Sequence, residues 1–316
     1  MKLEHIMQKV PQWAGQPFSV TPLDGGKTNQ TYKVVVDGAA YVVRIGAQNT
    51  HLHGIQRSTE YQLMSVAAQA GITPEVIAIF PEEDVSISRF IDGRLLNERD
   101  IHQPQTIKQI VHIMKRYHAL PVCGRPIRFF EIGHYYAEVK DDPLISHEIT
   151  EILQLGRLLK SALTPCQGAP VICHNDLAPV NFMDDGKQLW LFDWEYAGAG
   201  DCFLDLANLS SDNDFSDAEN DVLLRHYFGK YTPAMWAKFK LMRTWSDLRE
   251  AMWALVQRQT ATVDLGYTEH ACRYLNRFRQ ACQSPQLEQW LTKAVSLLLT
   301  TQESLMGKLA HAAKGR

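Results

Sequence analysis

The sequence predicts an α+β protein built as a small β-rich part followed by a larger, mostly helical part. Three observations carry this reading. Strand-like runs dominate before residue 92, and helical periodicity dominates after it. An Asp37-Gly38 dipeptide joins two β-rich runs, which is a strong short-range hairpin signal. Within the helical half, two short apolar runs bound a polar loop, His174–Asp193, where helices would otherwise continue. The boundaries read as residues 1–91 for the first part and 92–316 for the second.

Taken in order, Lys33–Val36 and Tyr41–Ile45 form the hairpin. Thr59–Gln69 is helix-like and stops at Gly71, with Pro74 beyond it. Val76–Phe80 and Val85–Ile91 form a second strand pair around the turn residues Pro81 to Asp84. After Asp92-Gly93, Ile107, Ile110, Val111, Met114 and His118 recur at helical spacing. Ser146–Leu163, Asp217–Phe228, Pro233–Gln259, Thr268–Cys282 and Leu287–Leu309 are further helices. Val171–His174 and Leu189–Phe192 are short strands, expected to form a small central hairpin. A cleft between two such parts is a natural seat for a small molecule.

Bulk properties narrow the function. The 316 residues are 45% hydrophobic, ample for a large buried core. A net charge of −3 gives no broad basic field, which argues against nucleic acid as a partner. The six cysteines form no CxxC pair and have no zinc spacing, so free thiols in a reducing compartment are expected. The start, MKLEHIMQKV, lacks the apolar core of a signal peptide. No apolar run approaches the ~20 residues needed to cross a bilayer. A cytoplasmic protein without stable membrane insertion follows.

The chemistry is concentrated in His174–Asp193. A strand delivers His174 and Asp176 to a loop. Asn181, a neutral oxygen ligand, follows five residues after Asp176, and Asp193 ends the next strand. Magnesium prefers hard oxygen ligands and keeps part of its shell for phosphates and water, so one amide and one carboxylate suit it. A carboxylate left off the metal can accept a hydroxyl proton.

These residues resemble the HxDxxxxN…D pattern of protein-kinase-like small-molecule kinases, a group with choline and ethanolamine kinases, aminoglycoside phosphotransferases and thiamine kinase. The resemblance implies a bilobal protein-kinase-like fold and use of ATP and Mg2+. It makes Asp176 the catalytic base and Asn181 and Asp193 the magnesium ligands. His174 then braces the loop. In the small lobe, Gly25, Gly26, Thr28 and Asn29 resemble the phosphate loop of choline kinases, where glycine lets backbone N–H groups approach phosphates. Arg44 occupies the place of the kinase strand lysine, with Glu60 as its ionic partner. Arg89 and Phe90 resemble the hinge whose backbone meets adenine.

The resemblance implies a small-molecule alcohol as acceptor, expected to be cationic. Asp193-Trp194-Glu195-Tyr196-Ala197, Asp205-Leu206-Ala207-Asn208 and Met252-Trp253 through Gln257 resemble choline-kinase segments, as does the run ending at Tyr267. A quaternary ammonium is held by aromatic faces and nearby carboxylates. Glu195, Tyr196, Asp205, Trp245, Glu250 and Trp253 are therefore the candidate acceptor residues. Trp245 and Trp253 share one helix at about 80° apart. Choline kinases tend to carry a second tryptophan three residues before the one resembling Trp253; this chain has Glu250 there. Thiamine kinase and aminoglycoside phosphotransferase remain alternatives, and a pseudokinase or binding module is the non-enzymatic one.

Overall fold

The Asp37-Gly38 turn forms as its residues dictate. β2 (Gln30–Val36) pairs antiparallel with β3 (Ala39–Ile45), placing Val36 opposite Ala39. Asp37 and Gly38 take φ of 48° and 73°, the left-handed pair a two-residue hairpin needs between right-twisted strands. β1 (Phe18–Pro22) adds to one side, and β5 (Val85–Arg89) and β4 (Val76–Phe80) to the other, giving the order β1-β2-β3-β5-β4. The computed structural model describes residues 3–23, 29–46, 55–127, 135, 139–261, 263 and 265–296.

One face of this sheet has its own small core. Val34, Val36 and Val43 point inward with Val85 and Ile87, as alternation along strands requires. Ile6, Met7 and Val10 from α1 (Leu3–Lys9) and its following residue cover them, with Trp13. Neither α1 nor β1 is signalled by the sequence pattern. β1 is an edge strand with four exposed positions, so it lacks a buried face to read. α2 (Arg57–Gln69) turns Leu63 and Ala67 toward the second, larger core.

That larger core gathers the helices. α3 (Glu98–Ile101) and α4 (Pro104–His118) lead into it, followed by α5 (Ile149–Leu163) and α6 (Cys202–Asp212). α7 (Asp217–Phe228), α8 (Pro233–Thr260) and α9 (Tyr267–Gln283) complete it. Residues 286–296 are helical as far as they are described. Among the described residues, no helix is long and apolar enough to cross a membrane.

The expected central hairpin is corrected. Val171–Cys173 and Leu189–Leu191 lie in different small sheets. β7 (Val171–Cys173) pairs with β10 (Gly198–Gly200). β9 (Leu189–Leu191) pairs with β8 (Phe182–Asp184), which also pairs with β6 (Arg94–Leu95). The turn that closes a hairpin is at Asp185-Gly186: Gly186 has φ of 81°, and the Asp185 carboxylate accepts the N–H groups of Lys187 and Gln188 at 2.8 Å. The consequence is useful. The segment from His174 to Asn181 is freed from pairing and can present side chains.

Gly46, just past β3, receives the return of the small sheet. Its N–H donates to the Asp84 carbonyl at 2.8 Å, and a Cβ on Gly46 would overlap the Asp84 carboxylate. That carboxylate is already committed to Tyr61 at 2.6 Å and Arg57 at 2.9 Å. Gly46→Ala should therefore lower stability by about 1–3 kcal/mol, as overpacking does. Thermal melting checks this; an unshifted Tm would contradict the packing.

Candidate active site

The polar loop is built around one buried acid. Asp205, on α6, is fully buried. Its carboxylate accepts the backbone N–H groups of His174 (2.9 Å) and Asn175 (2.7 Å), and the Tyr117 hydroxyl (2.6 Å). His118 Nε2 approaches it at 2.9 Å. Burial alone would raise its pKa, but His118, Tyr117 and the His174 N–H outweigh burial and hold it below the usual carboxylate range. Asp205 therefore anchors the loop and cannot contact an acceptor, which corrects its assignment as a substrate residue.

His174 braces the loop from within. Burial keeps its pKa below the ordinary value. As a neutral ring it donates from Nε2 to the Phe192 carbonyl at 2.7 Å and accepts the Asp176 N–H on Nδ1 at 3.3 Å. Asn175 and Asp193 both adopt left-handed backbone, with φ of 63° and 62°. Non-glycine residues rarely do so, and such strain gathers at functional sites.

The loop brings Asp176, Asn181 and Asp193 together. Asn181 Nδ2 donates to the Asp176 carboxylate at 2.8 Å and to its carbonyl at 3.0 Å. With Nδ2 committed to Asp176 and the backbone carbonyl taken by the Phe192 N–H at 2.9 Å, the side-chain oxygen Oδ1 is the atom Asn181 can offer as a ligand. Asp193 accepts Arg44 at 3.1 Å on one oxygen and is partly exposed. Two hard oxygens from separate turns are the kind of donor set a magnesium ion favours. Burial, then Asp193 and Glu250, push the Asp176 carboxyl up to about 7 against the Asn181 hydrogen bond.

Arg44 is where the sequence places it, and so is Glu60, its ion-pair partner. Sequence reasoning missed a second arginine. Arg57, the first residue of α2, bonds Glu60 at 2.6 Å, Glu195 at 3.2 Å and Asn29 at 3.3 Å. Glu195 also accepts from Arg44 at 2.9 Å and from Asn29 at 3.2 Å. The structure thus moves Glu195 from the acceptor group to the arginine side. The reason is local. A 3-10 turn spans Trp194–Tyr196, and its tight rotation sends successive side chains three ways. Trp194 packs inward edge-on to His174, Glu195 meets the arginines, and Tyr196 meets α8. Burial, then Asp193, push Glu195 up to about 7 despite Arg44.

Gly25, Gly26 and Thr28 lie outside the described residues; Asn29 is inside them. The N–H groups of Arg89 and Phe90 donate to the carbonyls of Glu75 (2.8 Å) and Ala40 (3.1 Å), so neither can donate to adenine. The Arg89 side chain turns outward to Glu75 at 3.1 Å. Trp245 is 1% exposed, in the core.

Trp253 keeps its place beside the loop. Its Nε1–H donates to the Tyr196 hydroxyl at 2.9 Å, and its ring meets Tyr267 edge-on at 5.9 Å. Glu250 pairs with Arg249 at 2.9 Å and faces His270 at 3.9 Å. Arg249 also donates to the Asn175 carbonyl at 2.9 Å. Burial would raise the Glu250 pKa, but His270 and Arg249 hold it below its ordinary value. The buried Tyr135 interacts electrostatically with Arg249 and Glu250. Arg249 and Tyr135 carried no sequence signal.

Residues 20–223 match the family model for choline/ethanolamine kinase. The chain belongs to the choline/ethanolamine kinase family. It is 22% identical over 311 residues to ethanolamine kinase 2 of Mus musculus, covering 87% of this chain and 79% of that one. Among solved structures, a choline/ethanolamine kinase family protein from Mesorhizobium loti superposes with a TM-score of 0.79 at 24% identity, covering 92% and 97% of the two chains. Choline kinase LicA from Streptococcus pneumoniae gives 0.73 at 22%, covering 92% and 99%. The fold of this family member is therefore protein-kinase-like, with a β-sheet N-terminal region and a mostly helical C-terminal part.

The Asp205 anchor generates a prediction. Asp205→Asn leaves backbone donors and a histidine facing an amide, and breaking such a buried charged cluster costs about 3–5 kcal/mol. Because the folded-state pKa of Asp205 is lowered, its stabilisation is present above the ordinary carboxylate range and is lost as pH falls through the lowered value. Denaturant melts at neutral pH should show the loss for Asp205→Asn. An unchanged midpoint would remove Asp205 as the anchor.

Proposed function

We propose that the protein transfers the γ-phosphoryl group of ATP to the hydroxyl of a small amino alcohol, choline or a relative, with magnesium. The observation that carries this is the Asp176–Asn181–Asp193 cluster, held on a pinned loop between arginines on one side and an acidic, aromatic surface on the other. Family membership supports the reaction class. We take the small lobe as residues 1–91 and the large lobe as 92–316, with ATP between them.

Asn181 and Asp193 would hold magnesium. The ion would supply positive charge that offsets the phosphate charge. The chain's residues do the rest. Arg44, kept charged against its burial by Asp193, Glu60 and Glu195, and Arg57, kept charged by Glu60 and Asp84, face the phosphate side. Asn29 ends the glycine-containing segment and is tied to Glu195 and Arg57. The acceptor hydroxyl lies at Asp176, which takes its proton as the new O–P bond forms and the bond to ADP breaks. Asp176, with its pKa raised toward neutrality and one oxygen fixed by Asn181, is set for that transfer. Most of the acceleration comes from positioning and charge compensation.

An ADP-release screen over choline, ethanolamine, thiamine, other amino alcohols and aminoglycosides tests this directly. ADP release should respond to a simple amino alcohol, and Asp176→Asn should reduce that rate by at least about 100-fold while nucleotide binding persists. Response to an aminoglycoside or thiamine alone would replace the acceptor. ATP consumption that no alcohol stimulates would favour the pseudokinase reading.

A further inference from the structure

We propose that a groove between the α7–α8 turn and residues 286–296 is a second ligand site, and that it takes an anion joining a flat heteroaromatic ring to a phosphate.

The groove encloses about 600 Å³, within the size range of small-molecule sites. Its walls are aromatic and come from both sides. Tyr231, in the turn, and Trp236, in the first turn of α8, lie nearly parallel at 20° with ring centroids 5.9 Å apart. Trp290 stands on the other wall. Lys240 Nζ lies 5.7 Å from the Trp236 ring and 5.3 Å from the Trp290 ring, so both indoles border one space. All three aromatic side chains are half-buried, which leaves ring surface open to the groove. The Tyr231 ring is held in place, because its hydroxyl donates to Asp221 at 2.5 Å. Walls of this kind stack a planar ring.

The charges choose the sign of the ligand. Arg225 is paired with Asp221 at 2.7 Å, and Lys240 with Asp217 at 2.9 Å. Lys230 and Lys293 are left, one on each wall, and neither ammonium group has a hydrogen-bond or ion-pair partner among the described residues. A phosphate has enough acceptor oxygens to meet both. Gln286 and Gln289, beside Trp290 on the same helical stretch, bring amides that donate and accept. Such groups suit the nitrogens and carbonyls of a heterocycle. A bilayer is met by aromatic and basic side chains that protrude; here they line a recess, which favours a soluble ligand. The site is also separate from the reaction centre. Trp236 and Trp253 share α8 but stand almost five turns apart, about 25 Å, and none of the groove residues takes part in the proposed reaction.

The test uses riboflavin 5′-phosphate, whose fluorescence is quenched when its ring stacks on tryptophan. The full-length protein is titrated with it and, in parallel, with riboflavin. We expect saturable quenching with one equivalent bound, and riboflavin bound at least about tenfold more weakly. Trp290→Ala should weaken binding by at least about fivefold. Lys230→Glu combined with Lys293→Glu should weaken it by at least about tenfold, and both variants should keep the wild-type Tm. Arg57→Gln, on the phosphate side of the reaction centre, should leave binding unchanged. The inference is overturned by the absence of saturable binding, by binding that survives the groove variants or is lost in Arg57→Gln, and by riboflavin binding as tightly as its phosphate. Binding to phosphatidylglycerol vesicles, or self-association, that is lost in the groove variants while the flavin does not bind would give the groove to a bilayer or to a second copy instead. Each of these outcomes leaves the kinase reading untouched.

Discussion

The catalytic loop depends on a single buried carboxylate. Asp205 takes two successive backbone N–H groups at the start of the loop, and it is itself held by Tyr117 and His118 from α4. A strand, a loop and two helices are joined at one point. The left-handed Asn175 that follows sets the direction in which Asp176 leaves the loop. Without a fixed charge inside the protein, consecutive N–H groups in a non-helical segment would seek water, and the loop would have no single conformation. His174 then carries this order to Phe192, one residue before Asp193, so the two halves of the site are positioned from the same anchor.

A second charged cluster serves the small lobe. Glu60 and Glu195 are buried beside Arg44 and Arg57, and Asn29 and Asp193 touch its edges. Glu195 comes from the large lobe; Arg44, Arg57 and Glu60 come from the small one. Buried acids and bases in such a network compensate each other, which neither sign could do alone. The arrangement places guanidinium groups beside the metal-ligand candidate Asp193, where phosphate charge would arrive.

Much of this was legible in the sequence, for identifiable reasons. The β2–β3 hairpin announced itself through Asp37-Gly38, and the helix expected over Asp217–Phe228 formed with those bounds, its start closed by a capping box of Ser216 and Glu219. Asp176, Asn181 and Asp193 stood out by their spacing between two short strands, and the structure brings them together. What stayed hidden had no periodic signature. α6 is buried from Phe203 to Ser211, so it shows no polar face, and Asp205 could not be read as an interior residue. α8 is similarly enclosed around Trp245. Helical angle alone therefore could not separate Trp245, in the core, from Trp253, at the site. Arg57 and Arg249 act through partners far along the chain, Glu195 and the Asn175 carbonyl, which no local pattern encodes.

In the proposed reaction Asp176 faces the acceptor hydroxyl, while Asn181 and Asp193 face the metal. A crystal structure with magnesium, a non-hydrolysable ATP analogue and an amino alcohol tests it most directly. It should place the hydroxyl about 3 Å from the Asp176 carboxylate and a metal ion bridging Asn181, Asp193 and the phosphates. A hydroxyl bound away from Asp176, or a metal held without Asn181 and Asp193, would contradict it.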